Sequence, residues 1–136
     1  MRTIVLDNEP IQALMRTGHA KHRVVMAHLA AVVARRRAGA TVTAVVPTAV
    51  RVEAGWDRSD PHAAAINRLR TADHPLDATA ANLAAEILRR TRLSVADAHV
   101  GAVVRSLHAD DVVVLTSDPD DMVRAAAPKA ITTIRI

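Results

Sequence analysis

Short β-branched runs alternate with stretches of helical spacing from one end of the chain to the other. Arg2 to Leu6 predicts a buried strand, after which the residues from Asn8 take on helical spacing until Gly18. A second helix over Ala20 to Arg37 sets Val25, Leu29, Val32 and Val33 on one face and closes in Arg35-Arg36-Arg37, ahead of Gly39. Thr41 to Val46 predicts the second strand, and Pro47-Thr48 opens a helix whose stripe carries Ala49, Val52, Glu53 and Trp56. Past the polar break at Arg58 to Pro61 a short helix is expected as far as Arg70. Asp73 to Asp77 is either a small edge strand or loop, because Pro75 disfavours a strand. Asp77 caps a helix with the stripe Ala80, Leu83, Ala84, Ile87 and Leu88, and Ser94 to Leu107 forms another. Val112 to Leu115 is a strand, Pro119 to about Ala127 a brief helix, and Ile131 to Ile136 a last, more polar strand.

Strands alternating with helices predict a three-layer α/β/α arrangement around a mainly parallel sheet. At 136 residues the chain is expected to form a single domain over residues 1–136. Composition narrows the chemistry. With one tryptophan and neither tyrosine nor phenylalanine, the core must be aliphatic, and stacking of bases on aromatic rings is nearly excluded as a binding mode. The absence of cysteine removes disulfides, thiolate metal sites and a Cys nucleophile, and fits a reducing compartment. A formal charge of +4 favours an anionic partner mildly. No apolar run is long enough for a membrane span and the N-terminus leads straight into a strand pattern, so a cytoplasmic protein without membrane association is expected.

The acidic residues carry the sharper signal, although each has a structural explanation of its own. Glu53 shares an apparently apolar stripe, where it needs either an arginine partner or access to the surface. Asp97 falls in line with Leu93, Ala96, Val100, Val104 and Leu107, yet Ser94-Val95-Ala96-Asp97 is also a capping box. Asp118 before Pro119 reads as an ordinary N-cap, with Asp120 and Asp121 as first-turn acids favoured by the helix dipole. Asp7 can cap the segment after the first strand. All four nonetheless fall just past a strand or near the start of the helix that follows one. In a doubly wound sheet those positions converge on one edge. Carboxylates crowded there repel unless a divalent cation neutralises them, and hard oxygen donors suit Mg²⁺ or Mn²⁺. Hydrolysis of a phosphodiester is the chemistry such a site best fits.

The order of Asp7 after a strand, Thr48 followed by Glu53, Leu93-Ser94-Val95-Ala96-Asp97-Ala98, and Leu115-Thr116-Ser117-Asp118-Pro119-Asp120-Asp121 resembles a PIN domain. More narrowly it is similar to the small PIN ribonucleases of VapC type, the toxin halves of toxin–antitoxin pairs. The resemblance implies a metal-dependent endoribonuclease in which Asp7, Glu53, Asp97 and Asp118 hold Mg²⁺ or Mn²⁺, with Asp121 as a further acid and Thr116 and Thr48 in support. It also implies an RNA substrate, a cognate antitoxin and a homodimer. Arg16 and Arg51 are the basic residues expected to meet phosphate oxygens or the partner. The chain departs from the family pattern at Asn8-Glu9-Pro10, where Glu9 and Pro10 are placed to reshape the metal pocket. That departure keeps open a different class of function, a catalytically inactive PIN-like module that binds RNA or protein. Arg35, Arg36 and Arg37 read as a solvated cluster at a helix end. The seven histidines show no zinc spacing and read as surface or core residues.

Overall fold

The computed structural model describes residues Met1–Ile136. Five strands, β1 (Arg2–Leu6), β2 (Val42–Pro47), β3 (Ala72–His74), β4 (Asp111–Thr116) and β5 (Thr132–Arg135), form one sheet in the order β3-β2-β1-β4-β5. Every pairing is parallel, with Ile4 beside Ala44 on one flank and Val113 on the other. Parallel strands need crossovers, and the seven helices supply them: α1 (Asn8–Met15), α2 (His22–Arg37), α3 (Thr48–Ala54), α4 (Ala64–Asn67), α5 (Ala78–Thr91), α6 (Val95–Ser106) and α7 (Pro119–Ala126). Helices α1 to α4 pack among themselves, α5 to α7 pack together, and α3 touches α6.

The chain moves outward from β1 to β2 and β3, then crosses back to β4 on the other side of β1 and on to β5. The winding therefore reverses between β1 and β4, and the crevice at their carboxyl ends is where an open α/β sheet offers a ligand site. Both strands are buried apolar runs, with Val5, Leu6, Val114 and Leu115 fully enclosed beneath Ile11, Leu29, Val100 and Met122. Burying a side chain of this size contributes about 1.5–3 kcal/mol, so the aliphatic core fixes both strand ends without aromatic residues.

A second cluster of small residues, Ala84, Ile87, Ala98, Ala102 and Ala125, lets α5, α6 and α7 approach one another closely. Gly101 is its tightest point. A methyl group there would lie 2.5 Å from the carbonyl oxygen of Ala125 in α7.

The strand and helix expectations hold with two corrections. Helix α3 stops at Ala54 because Gly55 takes a left-handed conformation (φ 72°), so Trp56 lies beyond the helix. Its buried position is Val50, whereas Val52 is 82% exposed, so the stripe of Ala49, Val52, Glu53 and Trp56 is not a core face. The helix expected from Pro61 to Arg70 reduces to a 3₁₀ turn (Pro61–Ala63) and the four residues of α4. The alternative at Asp73 resolves as an edge strand that ends just before Pro75.

Candidate functional site

Asp7 stands where β1 leaves the sheet, only 5% exposed. Its carboxylate does not cap α1. Instead Oδ2 accepts a 2.7 Å hydrogen bond from the hydroxyl of Thr116, the fully buried last residue of β4. The same Thr116 oxygen accepts the backbone N–H of Asp118 at 2.9 Å. One hydroxyl thus ties the two strand ends and aligns Asp118 at the start of α7, where that side chain caps nothing and is exposed.

Asp97 comes from α6. Ser94 caps this helix by accepting the Asp97 N–H at 3.1 Å, as the capping box predicts. Capping does not consume the acid, because the Asp97 carboxylate also senses Asp121 and Asp118 as like charges. Glu53, exposed on α3, senses Asp97 in turn. Burial first, and this crowding second, raises the pKa of Asp7, Glu53 and Asp97. Burial, opposed by the Thr116 and Asn8 hydrogen bonds and reinforced by the charges of Asp97 and Glu53, pushes Asp7 up to about 6. Burial followed by the Asp97 charge raises Glu53, and burial raises Asp97 against the pull of its Ser94 hydrogen bonds. Acids from β1, α3, α6 and the β4–α7 junction therefore lie within electrostatic reach of one another, with Asp97 common to the couplings. Their side chains do not close on a point: no group of three His, Cys, Asp or Glu residues is arranged to hold a metal ion.

The supporting residues fall differently. Thr48 begins α3, and its hydroxyl accepts the N–H of Leu76, anchoring the loop after β3. Arg51 is committed to structure. It meets Asp73 at 2.7 Å and lies 5.4 Å from the Trp56 ring, while Arg58 covers the same ring at 4.2 Å and also binds Asp73. This clamp of two guanidinium groups, one indole and one carboxylate fixes the end of α3 against the sheet edge. Arg16 is exposed at the C-cap of the eight-residue α1, about 12 Å along the helix from Asp7. Glu9 turns to His19 (3.0 Å) and Lys21 (3.9 Å), and Pro10 is buried, so the unusual Asn8-Glu9-Pro10 segment directs its extra carboxylate into an ion pair.

Two residues emerge that sequence reasoning missed. Arg135 in β5 is in register with Thr116 and lines a polar cleft with Asp118, Asp120 and Asp121. The strand assignment already carried that signal, since neighbours in register on a parallel sheet share a face. His99 is wholly buried and accepts the Ala49 N–H on Nδ1 at 3.2 Å, joining α6 to the first turn of α3. Burial lowers its pKa, so it is the neutral imidazole that makes this link. An apolar groove of about 390 Å³ opens beside Glu53, lined by Val52, Leu76 and Val95.

Three solved structures superimpose on this chain over nearly its whole length. FitAB bound to an IR36 DNA fragment has a TM-score of 0.60 at 15% identity, covering 97% of this chain and 94% of that one. Mycobacterium tuberculosis VapC20, described as a sarcin-ricin loop cleaving toxin, gives 0.58 at 21% identity, covering 93% and 96%. VapBC2 from Rickettsia felis, bound to a DNA fragment from its promoter, gives 0.56 at 9% identity, covering 98% of both chains. The chain therefore shares the fold of these three structures, the fold that its resemblance to PIN domains implies. No protein-family model and no curated protein sequence matches it.

Proposed function

We propose that this protein is a divalent-metal-dependent endoribonuclease acting at the β1/β4 crevice, and that it is the toxin half of a toxin–antitoxin pair. The observation that carries the reading is the placement of Asp7, Glu53 and Asp97, contributed by three separate elements at the switch point of the sheet, near enough that Asp97 and Glu53 act on Asp7 and Asp97 acts on Glu53. Repulsion of this kind destabilises a fold unless a cation answers it. Fold likeness to VapC20, a toxin that cleaves RNA, supports the same chemistry.

The donor set is all oxygen, which suits Mg²⁺ or Mn²⁺. Asp7, Glu53, Asp97 and Asp118 would hold the ion, with Asp121 beside them. When bound, the ion supplies Lewis-acid polarisation of a phosphoryl oxygen and activation of water. The chain's own work is positional. Thr116 orients Asp7 and the Asp118 backbone through one buried oxygen, the Ser94 cap fixes the first turn of α6, and His99 holds α3 against α6 so that Glu53 faces Asp97. Arg135, beside Asp118, is placed to meet a phosphate. An antitoxin is the expected partner, and the groove of Val52, Leu76 and Val95 beside Glu53 offers it an apolar surface. A homodimer is expected from the same apolar character.

A catalytically inactive RNA- or protein-binding module is the second reading. It is favoured by the side-chain arrangement, in which no three acids form a cation cage. One experiment separates the two: a mixed RNA pool incubated with Mg²⁺, Mn²⁺ or chelator, for the protein and its Asp97→Asn variant, alongside calorimetric titration with Mn²⁺. Metal-dependent cleavage that vanishes in the variant supports the nuclease. Equal inertness with no heat of metal binding sinks it and leaves the module.

A further inference from the structure

At the opposite end of the sheet from the acids, the C-terminus of α2 meets the segment between α4 and β3. Four guanidinium groups, those of Arg36, Arg37, Arg68 and Arg70, line a concavity of about 410 Å³ floored by Val33 and Leu69. None of the four forms an ion pair, whereas Arg51 and Arg58 share Asp73 and Arg2 holds Asp111. Arg36 spends one N–H on the Val42 carbonyl at 2.8 Å, and the remaining donors of the group have no acceptor in the chain. The α2 dipole accounts for Arg36 and Arg37 near its last turn. It does not account for Arg68 and Arg70, which come from a different segment; Arg70, like Arg92 after α5, takes the left-handed backbone of a helix ending (φ 53° and 59°).

Four like charges brought together from two separate segments, with no acid among the lining residues, mark an anion site. The protein's other properties decide which anion. Its only aromatic side chain, Trp56, is 3% exposed beneath two arginines, so bases cannot stack on it. Affinity for RNA then rests largely on phosphate contacts, yet the crevice that would cut the strand offers Arg135 and a bound ion against a majority of carboxylates. A remote basic surface resolves that conflict.

We infer that the Arg36–Arg37–Arg68–Arg70 concavity is a second, non-catalytic contact for the phosphate backbone of the RNA substrate. The identity of the anion as substrate rests on the ribonuclease reading above. The six residues of β2 separate the two ends of the sheet by about 20 Å, so only an RNA long enough to cross that distance engages both. A short single strand reaches one site or the other.

The test uses a dye-labelled hairpin RNA long enough to cross the sheet and a short single-stranded RNA, both titrated in chelator over a salt series. The variant is Arg68→Ser with Arg70→Gly, in which the glycine relieves the φ strain so that folding is not the cause of any loss. The expected result is that hairpin affinity falls about tenfold and the salt slope becomes shallower by roughly 0.7–0.9 for each phosphate contact removed. Calorimetric Mn²⁺ uptake should stay as in the unaltered protein, and the short RNA, with fewer phosphates to place on the arginines, should bind more weakly than the hairpin and lose less. Unchanged hairpin affinity and slope overturn the inference, even if metal uptake and cleavage stand. So does failure of the unaltered protein to bind the hairpin, or competition by polyglutamate as effective as that by RNA. Arginine-dependent hairpin binding by a protein that takes up no Mn²⁺ keeps the contact and removes the nuclease reading.

Discussion

Asp7 carries the largest electrostatic load of any residue in the crevice. Its carboxyl is raised from an ordinary 3.8 to about 6, chiefly by burial. An acid whose folded pKa lies above its unfolded value binds more protons in the folded state, so its contribution to stability is full below about 3.8 and is lost as pH rises through about 6. For the metal-free protein, Asp7→Asn should therefore be stabilising above that window, by up to roughly 3 kcal/mol, and close to neutral below it. The amide oxygen still accepts the Thr116 hydroxyl, so the change removes charge while keeping the hydrogen bond. Urea unfolding in chelator on both sides of the window checks this. A variant less stable than the unaltered protein at the higher pH would show that the buried charge is already answered by something in the fold.

Among the elements, the approach of α6 to α7 decides whether Asp97 meets Asp118 and Asp121. Gly101 makes that approach possible, since any Cβ there would collide with the Ala125 backbone. Gly101→Ala gains up to about 1 kcal/mol of helix propensity but must displace α7, and such overpacking costs typically 1–3 kcal/mol. We expect a net loss of stability, together with weaker metal uptake as Asp121 moves away from Asp97; thermal unfolding and calorimetry read the two effects. A fully stable variant with normal uptake would mean that α7 tolerates the shift. Sequence and structure part company at this scale. The strand ends at Asp7 and Thr116, the Asp77 and Ser94 caps and the α5 stripe were legible because each is set by neighbours within a few residues. The α3 stripe misled because the left-handed Gly55 cuts the helix before Trp56 and turns Val52 outward. The pairing of Arg51 with Asp73 was not legible, because the two lie 22 residues apart. Convergence of Arg68 and Arg70 on Arg36 and Arg37 depends on how two crossovers end, which local spacing does not encode.

Taken whole, the molecule separates charge along its strands, with acids at one end of the sheet and unpaired arginines at the other. No helix is long and apolar enough to cross a membrane. If the acidic end holds a cation only when folded, Mn²⁺ must stabilise the entire domain by mass action, by about 2.7 kcal/mol at a hundred times its Kd. Thermal unfolding with and without Mn²⁺ measures that shift, and the Asp97→Asn variant should lose most of it. An equal shift in both proteins would place the ion elsewhere. The indole of Trp56, packed against two guanidinium groups and hydrogen-bonded to Asn67, has a consequence for any optical experiment on this protein. It is the chain's single near-ultraviolet chromophore, since there is no tyrosine, phenylalanine or cystine. Every change in intrinsic emission can thus be assigned to one ring. That ring sits three residues from Glu53 and belongs to the main core, so the protein carries a native fluorophore that reports movement at the end of α3 while the fold is intact and exposure of the core when it unfolds.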